Sequence, residues 1–293
     1  VTAVRIPLPV RRLGYAVLGA LAPGAAGRRA TDVFSDTRAL GVRPDDVVPL
    51  GARRFPVDGD PDVRGGYLWG DTGPVVLLVH GWGIDSGSMH PLVAPLRALG
   101  YRVAAFDAPG HGVNPGAQAT MTQFTRATGA VLDALEDHGG VRAVVAHSLG
   151  AIAATGAVAE RGGADVACLA MIAPACTLTG VLERWSRSEL RLRRPLVERI
   201  YAELWKRNGV PVAHWDVVGL GRDLRLPVLA MHDPDDDVVP FAETQRVVTG
   251  LRDVRLEPVA GTGHYGILMA PAVRELVCDF IVRHAGAGEE AMT

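Results

Sequence analysis

The 293-residue sequence predicts an α/β fold: a mostly parallel sheet with helices on both faces. Three observations carry this. Apolar runs such as Val75–Val79 and Val141–Ala146 recur along the chain, as in strands buried on both faces. Stretches with helical spacing alternate with them. Each run ends in a polar or glycine-rich cluster, and sheets of this kind bind ligands at the carboxyl ends of their strands.

In chain order, residues 1–45 read as an N-terminal helical and irregular segment, punctuated by Pro7, Pro9, Pro23 and Pro44. Arg11-Arg12 ahead of the apolar Leu13 to Ala22 has the outline of an export signal. The run is too short to span a bilayer. We read it as a helix packed on the domain and expect a cytoplasmic protein. Val47-Val48 and Gly66–Trp69 read as early strands around a turn at Asp58–Pro61. Val75–Val79 is a buried strand ending in His80-Gly81-Trp82-Gly83, followed by a helix from Ser88 to Leu99. Arg102–Phe106 is a strand ending in Asp107-Ala108-Pro109-Gly110-His111-Gly112. Met121–His138 is helical.

Val141 to Ala146 then runs into His147-Ser148-Leu149-Gly150 and a helix of small residues. Strand, tight turn and helix, with Ser148 at the apex and small residues two places before and after, form a nucleophile elbow. Ala146 stands where glycine is usual. The amide of Leu149 falls at the helix N-terminus, where it can stabilise negative charge. Val166–Ala173, Pro227–Met231 and Val254–Val259 are further strands, with helices at Phe241–Leu251 and Pro271–His284. The sequence thus divides into the segment 1–45 and one domain, 46–288, with an insertion at about 175–225.

Composition narrows the function classes. The formal net charge is −2, so the chain as a whole carries no nucleic-acid or membrane footprint. Cys168, Cys176 and Cys278 show no metal-ligand spacing and read as free thiols. The histidines lack the paired spacing of a zinc site, so no metal or cofactor is expected.

A serine hydroxyl needs a histidine to take its proton and a carboxylate to orient that histidine. The strings His80–Gly83, Asp107–Gly112, Ala146–Gly150, Asp233–Pro240 and Gly263-His264 supply these groups in the order Ser, Asp, His. Taken together, from about residue 45 to 284, they resemble the α/β-hydrolase superfamily. The resemblance implies Ser148 as nucleophile and His264 as base. It implies Asp236 as the acid, from its spacing to Val239-Pro240, with Asp235 as the rival. Asp233 and Asp237 read as turn and capping residues. The amides of Trp82 and Leu149 would form the oxyanion hole. His80, His111 and His147 read as bracing residues. A serine nucleophile excludes the branches that attack with aspartate.

The resemblance also implies that the insertion is a helical lid. From Pro195, residues Leu196, Val197, Ile200, Tyr201, Leu204 and Trp205 define one apolar face. Trp82 and Trp205 are the expected substrate-binding side chains. The function implied is hydrolysis of a small-molecule ester through an acyl-enzyme. A biosynthetic tailoring enzyme or a non-catalytic binding protein on the same fold are the alternatives.

Overall fold

The computed structural model describes residues 7–42, 47–163 and 165–286. The strands in these residues are β1 (Ala52–Phe55), β2 (Gly66–Trp69), β3 (Val75–Val79), β4 (Arg102–Phe106), β5 (Val141–His147), β6 (Cys168–Ile172), β7 (Val228–His232) and β8 (Val254–Pro258). They form an eight-stranded sheet in the order β1-β2-β4-β3-β5-β6-β7-β8. β1, β2 and β4 pair antiparallel, and every pair from β4 through β3 to β8 is parallel. The order reverses at β3, between β4 and β5, and the ends of the strands around it are where such sheets carry their sites.

The apolar runs become strands because β3, β5, β6 and β7 have helices on both faces. Leu77, Val79, Val144 and Ala146 face one cluster. That cluster is closed by α4 (Met121–Ala134) and α5 (Gly150–Glu160). Their alternates Val76, Leu78, Ala143 and Val145 face the other. It is closed by α3 (Val93–Ala98) and α11 (Pro271–Ala285). Period-two alternation of side chains divides one continuous apolar run between two cores.

Two expected elements differ. The first strand is β1, and Val47-Val48 lies outside any strand. Ala52-Arg53-Arg54-Phe55 has no apolar run to reveal it, because an edge strand turns its arginines to solvent. The helix expected over 88–99 opens as a 3-10 stretch, Ser86–Leu92, before α3. Pro91 lacks the amide that an α-helix would need there. Among the described residues, no helix is long and apolar enough to cross a membrane. The cysteines are free. Burial pushes the Cys168 and Cys176 thiols up to about 12, which leaves them unreactive.

Between β6 and β7 the insertion forms α6 (Leu178–Trp185), a π turn at Ser186–Leu190, α7 (Arg194–Asn208) and the short α8 (Val217–Gly221). Helices α9 (Phe241–Gly250) and α10 (Gly263–Gly266) complete the domain. The N-terminal segment forms α1 (Leu8–Leu21) and α2 (Pro23–Phe34), which lie against the insertion. A Cβ on Gly27 would come within 2.6 Å of Arg199 Cβ, so only glycine lets α2 lie this close to α7. Arg12 donates to the carbonyls of Ser188 at 2.7 Å and Glu189 at 2.9 Å. Past α2, the Thr37 hydroxyl donates to the Gly110 carbonyl at 2.6 Å, and Arg38 donates to the carbonyls of Gly112 and Asn114 at 3.1 Å. The segment from Arg12 to Arg38 is therefore bonded both to the insertion and to the loop after β4.

Candidate active site

Ser148 ends β5 with φ of +53°, a left-handed conformation that a residue bearing a Cβ adopts at a cost. Neighbouring backbone holds it there. Its amide donates to Ile172 O at 3.0 Å, and its carbonyl accepts from the amide of Ala175 at 3.2 Å. The small positions of the elbow have distinct reasons. A Cβ on Gly150 would approach the His80 carbonyl to 2.3 Å, where α5 crosses the end of β3. Ala146 meets no such barrier: it is fully buried in β5, and its methyl belongs to the core. Gly81 is needed too, since a Cβ there would meet the His147 ring at 2.8 Å and Ser148 Cβ at 3.0 Å.

His264 Nε2 lies 3.0 Å from Ser148 Oγ, and His264 Nδ1 lies 2.7 Å from Asp236 Oδ2. A carboxylate only accepts, so the imidazole carries its proton on Nδ1 and Nε2 is free to accept from the serine. The Asp236 carboxylate is heavily supported. Oδ1 accepts from the amides of Val238 at 2.8 Å and Val239 at 2.9 Å, and Oδ2 also lies 3.2 Å from His232 Nε2. Burial opposes its ionisation. Hydrogen bonds from His232, His264 and Val239 outweigh that and hold the carboxyl well below the usual range. Asp235 is exposed and donates its amide to Asp233 Oδ1 at 3.0 Å. Asp233 Oδ2 accepts from the amides of Thr262 and Gly263, both at 2.6 Å, and so fixes the loop that delivers His264.

Ser148 and His264 open onto a cavity of about 400 Å³, with Asp236 buried behind them. Trp82, Leu149 and Tyr265 border it beside the serine, and Phe34, Trp185 and Leu204 form apolar walls farther out.

A family model described as serine aminopeptidase, S33, matches residues 70–214, a span that includes Trp82 and Ser148 and ends before Asp236 and His264. An esterase of Pyrococcus furiosus superposes with a TM-score of 0.63 at 18% identity, covering 83% of this chain and 97% of that one. Est1E from Butyrivibrio proteoclasticus, solved with ferulic acid bound, gives 0.62 at 18% identity, covering 80% and 99%. An uncharacterized protein of Mycobacterium tuberculosis is 26% identical over 263 residues, 86% of this chain and 83% of that protein. The chain has the α/β-hydrolase fold.

On this fold the sequence-derived site residues do not all meet. His264 is within hydrogen-bond reach of both Ser148 and Asp236, and Trp82 and Leu149 line the cavity. Trp205 does not line it. It is 57% exposed on the far side of α7, whereas Leu196, Val197, Ile200 and Leu204 are buried. Each residue turns the helix by about 100°, so Trp205 falls off the stripe that Leu204 ends. Trp185, on α6, stands in the wall instead and packs edge-on against Phe34 with ring centroids 5.2 Å apart.

Two contributors escaped the sequence reading. His232 ends β7 fully buried. Its Nε2 faces both Asp236 and the Val239 carbonyl, and its Nδ1 accepts from the Thr244 hydroxyl on α9. Its only signal was a histidine closing an apolar run four residues before the acid. The other is the N-terminal segment, whose Phe34, Asp36 and Leu40 line the cavity. The Trp82 indole donates to the Asp36 carbonyl at 3.1 Å, which joins that segment to the loop after β3.

The bracing histidines make the protein acid-sensitive. His147 Nε2 donates to the His264 carbonyl at 3.0 Å, and His111 Nδ1 donates to the Pro109 carbonyl at 2.9 Å. Burial pushes both from the ordinary 6.5 down to about 3. Below the unfolded value, the unfolded chain takes up protons that the native chain refuses, so stability falls as pH falls. Each histidine contributes a loss of about 1.4 kcal/mol per pH unit in that window. Urea midpoints should therefore drop steeply from neutral pH to about pH 5, and His111→Phe should flatten the slope. A midpoint independent of pH over this range would contradict the assignment.

Proposed function

We propose that this α/β-hydrolase cleaves a carboxylic ester through an acyl-enzyme formed on Ser148. The observation that carries the reading is the hydrogen-bonded chain from Ser148 Oγ through His264 to Asp236, opening on an apolar-walled cavity. Ser148 Oγ attacks the ester carbonyl while His264 Nε2 takes its proton. Asp236 stabilises the imidazolium so formed. The Trp82 and Leu149 amides hold the oxyanion of the tetrahedral intermediate; one such donor is worth about 3–4 kcal/mol of barrier. Collapse expels the alcohol, which receives the proton from His264. Water then enters by the same route reversed, and the acid leaves.

The cavity suits a substrate of modest size with an apolar half, since Phe34, Trp185, Leu204 and Val239 offer few polar atoms to orient anything larger. The test is a panel of nitrophenyl esters of graded chain length, assayed beside a thioester and an aminoacyl anilide. Medium-chain esters should be turned over fastest. Faster turnover of the anilide than of any ester would overturn the reading. On the same panel, Trp185→Ala should raise KM for bulky esters by about tenfold and barely change acetate, in keeping with the loss of apolar contact. Trp205→Ala should stay near wild type on every substrate. Equal effects of the two substitutions would place the cavity wall elsewhere.

A further inference from the structure

We propose that the outward face of α1 seats the protein on the surface of an anionic phospholipid bilayer. A surface helix ordinarily turns polar residues outward. α1 does the reverse. Leu8, Val10, Leu13, Val17 and Leu21 stand in solvent, with Leu13 exposed by 66% and Leu21 by 81%. The exposed residues between them are proline, glycine and alanine. Its polar side chains lie off that face: Tyr15 is buried with its hydroxyl donating to the Arg29 carbonyl at 3.3 Å, and Arg11 and Arg12 are half-buried, Arg12 held by the carbonyls of Ser188 and Glu189. Val10, Leu13, Val17 and Leu21 follow the three- and four-residue spacing that aligns side chains along one helix face, so they can enter an apolar layer together. Contiguous exposed apolar surface of this kind marks a site of association.

Charge selects the occupant. The chain is −2 overall, yet residues 1–31 contain Arg5, Arg11, Arg12, Arg28 and Arg29 and no acidic residue. Arg28 and Arg29 are exposed on α2, and the Tyr15 bond places Arg29 beside the middle of α1. A second copy meeting this face about a two-fold axis would bring two acid-free, arginine-bearing segments together. Anionic headgroups would complement them. The helix has 14 residues, too few to span, so it would lie in the plane of the interface with its apolar side immersed. Because Arg12 grips the backbone of Ser188 and Glu189, which line the cavity, seating α1 would bring the cavity cover to the lipid surface. The proposal stands apart from the ester reading, because binding can be measured without turnover.

The experiment is cosedimentation of the full chain with vesicles of phosphatidylcholine alone and of phosphatidylcholine mixed with phosphatidylglycerol, beside sedimentation velocity without vesicles. The wild type should bind the anionic vesicles about tenfold more tightly than the neutral ones. L13S/V17S/L21S should weaken binding by on the order of a hundredfold, since it strips aliphatic groups that would be immersed. R28Q/R29Q should weaken binding to anionic vesicles by about tenfold and leave neutral ones unchanged. These positions are solvent-exposed, so thermal melts of both variants should match wild type. Failure of the wild type to sediment with anionic vesicles, or equal binding by L13S/V17S/L21S, would overturn the proposal. So would a wild-type dimer that L13S/V17S/L21S dissociates in the absence of any vesicle binding, which would assign the face to a second copy.

Discussion

Ser148→Ala is expected to lower kcat by about 10⁴- to 10⁶-fold and to abolish labelling by a fluorophosphonate. The hydroxyl is the one group at the elbow that can form the covalent bond, so its removal leaves only what the oxyanion amides and substrate binding supply. Stability should hardly change. Alanine keeps the Cβ that the +53° backbone already accommodates, and the amide bonds to Ile172 and Ala175 involve main chain only. The lost partner is His264 Nε2, which faces the cavity. Wild-type protein should gain a single adduct, on Ser148. An adduct that survives in Ser148→Ala would move the nucleophile elsewhere.

Asp236→Asn should cost about 10⁴-fold in kcat, and Asp235→Asn should cost less than about twofold. The asparagine amide would donate to His264 Nδ1, which moves the imidazole proton to Nε2 and removes the acceptor that Ser148 needs. It would also confront a second donor. His232 Nε2 lies 3.2 Å from the same oxygen, and its other acceptor there is the Val239 carbonyl. Two N–H groups aimed at one another in a buried site add a stability loss of about 1–3 kcal/mol, read as a lowered melting temperature. Asp235 makes its bond through its own amide, so its side chain can change without disturbing either histidine. The opposite ranking of the two variants would reassign the acid.

What was legible in the sequence follows from how local its cause is. β3, β6 and β7 are fully buried and β5 is buried except at Arg142, so each appears as an apolar run whose polar end is its site-bearing end. The elbow is legible because the steric limit at Gly150, two residues after Ser148, is written in a neighbouring letter. Asp236 was reached through its spacing to Val239-Pro240, whose neighbouring amides do bond it. The walls are written non-locally. Phe34 and Trp185 meet across the cavity from segments with no common pattern. Trp205 was misplaced because a wide apolar stripe does not say where its edge lies. β1 was missed because a charged edge strand looks like a loop. The net charge of −2 concealed the acid-free stretch of residues 1–31, because an average over 293 residues erases a local imbalance.

The bonds from Arg12 to the Ser188–Glu189 backbone join residues 176 and 177 positions apart, which imposes an order on synthesis. The N-terminal helices leave the ribosome first, yet their docking partner is translated far later. At about 5–20 residues per second, the delay is roughly 10–35 s. Throughout it, Ala26 and Ala30, later sealed in the core, have nothing to seal them. The nascent chain thus presents both faces of this hairpin, the one destined for the core and the one that stays outside. Slowing translation between the two segments should lengthen that exposure and make yield depend on chaperone supply, whereas a delay placed after Asn208 should not.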